Sequence, residues 1–165
     1  MGMSFGKIVS SFSGTGKSYI GERYTNVADL DLGDYKFIYD ECKGIPYESR
    51  KAMKQYRINP EFPNNYIQAV MHAREKHDLV LITFCTEIEE FLAQNGIDFY
   101  YFMPSEHAWQ ILETRFKERG NPQRFIDIVK SRFEHDIKIT KPNHIHIKMD
   151  DEEFLEGVLK KRGWL

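Results

Sequence analysis

The run Ser11-Phe12-Ser13-Gly14-Thr15-Gly16-Lys17-Ser18 constrains this chain more than any other stretch. Its second half completes the pattern G-x-x-x-x-G-K-[ST], and Ser11 stands where the first glycine belongs. Gly14 and Gly16 allow the backbone to curl until successive N–H groups face inward as an anion nest. The apolar run Lys7–Ser11 reads as a strand leading into the loop, and a helix from Lys17 towards Tyr24 adds its positive end. In such a loop Lys17 reaches the β- and γ-phosphates and the Ser18 hydroxyl ligates Mg²⁺. The expected nucleotide contacts are therefore Ser13, Gly14, Thr15, Gly16, Lys17, Ser18 and the adjoining Tyr19, with ATP and Mg²⁺ as cofactors. A glycine-rich turn with a chance Gly-Lys-Ser is the bland alternative, and the strand–loop–helix context speaks against it. A dinucleotide loop fails on spacing, because G-x-G-x-x-G from Gly14 requires glycine at position 19, which is Tyr19.

Around this loop, short apolar runs alternate with helical patterns, the signature of a parallel α/β sheet. After the first strand come Val27–Asp31, Asp78–Thr83 (the most apolar, hence central), Ile97–Met103 and His144–Met149. Phe62, Tyr66, Val70 and Ala73 share one helical face. Thr86 is expected to cap a helix carrying Ile88, Phe91 and Leu92 that Gly96 ends. A helix over 105–119 stops at Gly120, and Asn121-Pro122 starts another whose apolar face is Phe125, Ile128, Val129 and Phe133. Asp151 caps a last helix carrying Phe154, Leu155, Val158 and Leu159. Residues 33–60 read as a small inserted helical region. At 165 residues the chain fits one domain large enough to fold without metal or disulfide.

Composition removes several classes. With a net charge of −2 there is no global basic field, so nucleic acid enters only as a substrate end in a local cleft. Cys42 and Cys85 have no metal-ligand spacing and read as reduced thiols of a cytoplasmic protein. No apolar segment reaches signal-peptide or membrane-spanning length. Gly6 in place of Ser or Thr argues against myristoylation at Gly2. The sequence is silent on oligomeric state.

Chemistry beyond the loop rests on carboxylates and arginines. Asp29 and Asp31 point to the same side of the second strand's end, where such sheets carry their ligands. Either could hold Mg²⁺ or accept a proton from a hydroxyl, or both could simply solvate a turn. Thr83 ends the central strand where many phosphate-loop proteins keep an acid, and that raises the weight on the pair. Arg115 and Arg119 lie one helical turn apart and could clamp a transferring phosphoryl group, or solvate a helix face shared with Glu113 and Glu118. Arg50 and Arg57 are candidates for acceptor contacts. His144 and His146 alternate on a strand with no third ligand nearby, and read as surface residues.

The loop SFSGTGKS, the DLD at 29–31 and the RFKERGN at 115–121 together resemble the small P-loop kinases: nucleoside monophosphate kinases and their shikimate- and gluconate-kinase relatives. NPEFPNNYI at 59–67 and RGN at 119–121 are similar to short nucleotide-kinase-like proteins of phages and bacteria. The resemblance implies a three-layer α/β/α P-loop NTPase fold with a five-stranded parallel sheet. It also implies a helical acceptor insert over 33–76 and a lid over 105–135. Carried onto this sequence, Gly14, Gly16, Lys17 and Ser18 bind phosphate and Mg²⁺, Asp31 sits at acceptor or metal, and Arg115 and Arg119 belong to the lid. The implied activity is phosphoryl transfer from ATP to a small acceptor, first of all a nucleoside monophosphate. The alternatives are a hydroxyl acceptor (a metabolite or a nucleic-acid 5′-end) and a catalytically weak nucleotide-binding protein.

Overall fold

The structure, a computed structural model, describes residues 4–38, 57–83, 85–136, 144–149 and 153–165, without the side chains of 136 and 144–148. In chain order the elements are β1 (Lys7–Ser11), α1 (Lys17–Arg23), β2 (Val27–Leu30), α2 (Gly33–Lys36), β3 (Phe37–Ile38) and β4 (Arg57–Ile58). There follow α3 (Asn64–Lys76), β5 (Leu79–Thr83), α4 (Thr86–Gln94), β6 (Phe99–Pro104), α5 (Trp109–Glu118), α6 (Gln123–Asp136), β7 (His144–Met149) and α7 (Leu155–Lys161).

One sheet runs in the order β2-β5-β1-β6-β7, and each of its pairings is parallel. β3 and β4 form a separate antiparallel pair. Strands buried on both faces must be apolar along their length rather than alternating. In β5, Leu79, Val80, Leu81 and Ile82 are all buried. Ile8, Val80, Ile82 and Phe99 pack against Tyr66, Val70 and Ala73 of α3 and Ile88 and Leu92 of α4. Val9, Leu79, Leu81 and Phe102 point the other way, onto Ile20 of α1 and Leu155, Val158 and Leu159 of α7. Helices thus cover both faces, and burying each large side chain contributes roughly 1.5–3 kcal/mol. A third cluster joins Phe12, Tyr101 and Met103 to Leu112 and Phe116 of α5 and Ile126, Val129 and Phe133 of α6.

The chain leaves β1 towards β2 on one side, whereas β5 leads across β1 to β6 on the other. The carboxyl end of β1 is therefore a topological switch point, the place where open parallel sheets bind ligands.

Several boundaries differ from the sequence reading, each for a local reason. Ile97 is not in a strand, because its N–H donates to Leu92 O and closes α4 after Gly96 turns left-handed (φ 65°). α5 starts at Trp109 rather than 105, because Ser105 forms a turn: its Oγ accepts the His107 N–H and its carbonyl accepts that of Ala108. Cys85, not Thr86, is the N-cap of α4. Ile126 fills the core position expected of Ile128, whose side chain is exposed. Phe154 precedes α7 and is exposed instead of buried on its apolar face. Arg50, Cys42 and Asp151 lie outside the described residues, as does most of the expected insert between β3 and β4.

Candidate phosphate-binding site

Gly14 and Gly16 adopt φ of 81° and 95°, so the loop turns through conformations that side-chain-bearing residues avoid. Space enforces the choice at Gly14, where a Cβ would lie 3.1 Å from the Phe116 ring and 3.2 Å from Leu112. Gly16 is the N-cap of α1 and has no side chain with which to occupy the helix's first N–H groups.

The structure explains Ser11. Its side chain is fully buried, as is that of Thr15, and the two hydroxyls are hydrogen-bonded to each other. Thr15 donates its own proton to Phe12 O at 2.8 Å, so Ser11 is the donor of the pair. A hydroxyl relay, Ser11 to Thr15 to the Phe12 carbonyl, thus braces the root of the loop where the motif's first glycine is missing. Lys17 Nζ donates to the carbonyls of Ser11 (3.1 Å) and Phe12 (3.3 Å), folding back along the loop.

Beside the loop stands Asp29, on β2. Its carboxylate accepts a hydrogen bond from Ser18 and feels the charge of Lys17. Burial raises its pKa; Lys17 and the Ser18 bond oppose the rise, while the neighbouring Asp31 and Asp34 add to it. A Cβ on Gly21 of α1 would fall 2.6 Å from the Asp29 Cβ, so glycine there lets helix and strand approach. Asp31 lies just past the end of β2, where its Oδ1 accepts the Gly33 N–H at 2.9 Å. The Ser18 hydroxyl thus meets the carboxylate of Asp29, with Asp31 two residues further along the chain.

These groups suit ATP and Mg²⁺. The loop has the left-handed glycines of an anion nest, and a hydroxyl and a carboxylate meet at Ser18 and Asp29. Among the described residues no three His, Cys, Asp or Glu converge on a point. A cation here would complete its shell with phosphate oxygens and water, which is how Mg²⁺ is usually held.

Of the expected arginines that the structure describes, Arg115 lies against the loop. Arg115 Nη1 donates to Gly14 O at 3.0 Å, and its guanidinium stacks 4.0 Å from the centre of the Phe154 ring. Arg119, the C-cap of α5, is exposed, and so is Arg57 on β4. Tyr19 is also exposed, its ring covered by the Arg23 guanidinium at 3.5 Å.

Three contributors escape a sequence reading. The Leu155 N–H donates to Thr15 O at 2.9 Å, so the start of α7 holds the loop as Arg115 also does. Phe154 lies against Gly16, at 3.4 Å from where a Cβ would stand. Tyr66, reaching up from α3, donates its hydroxyl to Leu30 O at 2.8 Å and accepts the Thr83 N–H at 3.4 Å. Burial keeps that hydroxyl protonated well above the ordinary tyrosine range. Their partners lie far away in the chain, so no local spacing announces them. A surface cleft of about 460 Å³, lined by Lys7, Asn26, Asp78 and Trp164, lies at the opposite end of the strands, where β1 and β5 begin.

No family model matches the sequence, and no curated protein matches it. Solved structures share the fold, two kinases among them. A gluconokinase from Sinorhizobium meliloti 1021 superposes with a TM-score of 0.51 at 17% identity, over 97% of this chain and 90% of that one. An unliganded sugar kinase from Janibacter sp. HTCC2649 gives 0.55 at 14% identity, over 98% and 94%. The chain therefore has an α/β fold with a parallel sheet, shared with small kinases.

Proposed function

We propose that the protein is an ATP-dependent kinase that phosphorylates a hydroxyl group of a small acceptor. The observation that carries this reading is the grouping of Lys17, Ser18 and Asp29 beside a glycine loop, with Asp31 at the open end of the same strand. Lys17 would leave the loop carbonyls for the β- and γ-phosphates, and Ser18 with Asp29 would hold Mg²⁺ against them. Asp31 would accept the proton of the attacking hydroxyl. Stacked on Arg115, Phe154 offers a flat apolar face beside Gly16 on which a base could rest.

A hydroxyl acceptor is favoured over a nucleoside monophosphate. A phosphate acceptor needs converging cations to offset two crowded phosphates. Among the described residues, Arg115 is engaged with the loop itself, and Arg119 and Arg57 are exposed. Two carboxylates beside the loop would repel a phosphate but serve a hydroxyl. A sugar or sugar acid is the acceptor class suggested by the names of both fold relatives.

The test is ADP release from Mg·ATP across a panel of sugars, sugar acids, nucleoside monophosphates and 5′-hydroxyl DNA. Stimulation by a sugar or sugar acid is expected. Stimulation by one nucleoside monophosphate alone would overturn the acceptor class. Tight ATP binding without turnover on any acceptor would leave a nucleotide-binding protein.

A further inference from the structure

Pairing between β2 and β5 ends at Leu30 and Ile82. The next donor and acceptor on the two strands meet through one side chain, the Tyr66 hydroxyl, which bridges Thr83 N–H and Leu30 C=O. The Leu30 carbonyl belongs to the peptide plane that enters Asp31, and a planar peptide held at its oxygen fixes where the next Cα begins. The Thr83 N–H belongs to the strand position paired with Ser11, the root of the phosphate loop. One hydroxyl therefore ties the residue that leads into Asp31 to the residue beside the loop.

The surroundings hold that hydroxyl in place. The Tyr66 side chain is fully buried, and its ring packs 5.2 Å from that of Tyr35. Its neighbour Asn65 donates to Tyr35 O at 2.8 Å, which anchors the start of α3 on α2. Because burial keeps the phenol protonated, its single proton stays on Leu30 O and its lone pair stays available to Thr83.

We propose that Tyr66 is a positioning residue for phosphoryl transfer, setting Asp31 at a fixed place relative to the phosphate loop. The proposal rests on the kinase reading above. It makes a prediction that packing alone does not: the Tyr66 hydroxyl matters only while Asp31 is there to be positioned. Tyr66→Phe keeps the ring and removes the bridge. Misplacement of a reacting group by about an ångström can cost roughly a hundredfold in rate.

The experiment compares Tyr66→Phe, Asp31→Asn and the double variant, with kcat measured on the best acceptor and ATP affinity measured by calorimetry. Expected is a drop in kcat of roughly ten- to a hundredfold for Tyr66→Phe with ATP affinity unchanged, and no further drop when it is added to Asp31→Asn. A loss of full size in both backgrounds would overturn the proposal, since the hydroxyl would then act on stability or on the sheet as a whole. Wild-type kcat in Tyr66→Phe would overturn it as well. Wild-type turnover in Asp31→Asn would instead remove Asp31 from the reaction, a failure of the underlying reading that the same variants tell apart. Calorimetry registers a folded ATP site in each variant independently of turnover.

Discussion

Arg115 donates a hydrogen bond to the Gly14 carbonyl at 3.0 Å while its guanidinium lies flat on the Phe154 ring. The glycine loop is therefore held from outside by α5, and by Leu155 at the start of α7, whose N–H donates to Thr15 O. A hydrogen bond from a charged donor contributes roughly 1.5–3 kcal/mol. Arg115→Ala should therefore weaken ATP binding about tenfold or more, measured by calorimetry, with a smaller effect on kcat once ATP is saturating. Arg115→Lys should not restore affinity, because an ammonium cannot both bond the carbonyl and stack on the ring. An intact ATP affinity in Arg115→Ala would make the grip incidental.

Lys17 is the charge that should matter most to turnover. Its two carbonyl bonds lie within the loop, so Lys17→Ala should leave the thermal midpoint within a few degrees of wild type. Removing a preorganised charge at developing phosphate charge typically costs about 10²–10³ in kcat. Turnover within threefold of wild type would exclude Lys17 from the transition state.

Asp29 gives a pH-dependent prediction whose sign follows from its burial. Its pKa is raised in the folded protein, so between the unfolded and folded values the native state binds more protons. Stability from this group is thus lost as pH rises through the folded value, and is unaffected below the unfolded one. Asp29→Asn should raise the thermal midpoint at neutral pH, with the gain shrinking as pH falls into the ordinary carboxylate range. The same variant should lose the Mg²⁺ dependence of nucleotide binding. A midpoint gain that persists unchanged in acid would assign it to something other than ionisation.

How far the sequence led can be judged from particular residues. The apolar run of β5 and the Gly-Lys-Ser of the loop identify themselves locally, because burial on both faces and a left-handed turn each demand certain residue types. Phe154 misled because its spacing from Leu155, Val158 and Leu159 extends a helical face one residue too far; α7 starts after it, and the ring is left exposed beside the loop. The direction of Arg115 was not legible either. A charge on a helix declares that it can bind an oxygen, but not that the oxygen is a carbonyl 101 residues away. Tyr66 read as core, which it is, but its hydroxyl partners lie 36 and 17 residues distant. The expected acceptor arginine Arg50 lies outside the described residues.

Ser11 offers a test confined to the loop's root. Ser11→Ala leaves Thr15 Oγ1 bonded to Phe12 O but without its donor, at a cost of about 1–3 kcal/mol for the unmet buried acceptor. Ser11→Gly restores the motif's first glycine, yet it removes the same bond and adds chain freedom to the unfolded state. Both variants should melt earlier than wild type, Ser11→Gly earliest, in a thermal scan without ligand. Should Ser11→Gly match or exceed wild type, the relay contributes nothing and the serine is a tolerated departure.

The last prediction concerns the hairpin of α5 and α6, expected from sequence to form a lid over 105–135. Its inner face is not loose. Leu112, Phe116, Ile126, Val129 and Phe133 are buried together with Phe12, a residue of the glycine loop, and the Phe12 and Phe133 rings meet edge to face at 5.6 Å. Rings packed in this way resist opening, so the whole hairpin should not swing freely. The weak point is its connection, where Gly120 takes φ 77° and α6 restarts at Gln123. Because Phe12 belongs to both the loop and this core, a loop that moves onto phosphates should shift the hairpin about that turn and bring exposed Arg119 nearer the transferring group. Closure of this kind keeps water from the phosphoryl group and adds charge stabilisation only when both substrates are present. Hydrogen exchange should therefore show slow amides around Phe116 and Val129 with or without ligand. Amides at 119–123 should become protected only with a non-hydrolysable ATP analogue plus acceptor. Arg119→Ala should lower kcat about tenfold or more while ATP affinity stays within twofold, the pattern of a contact made only in the transition state. Unchanged exchange at 119–123 together with wild-type kcat in Arg119→Ala would mean that the hairpin is a fixed wall of the site and Arg119 a solvated surface charge.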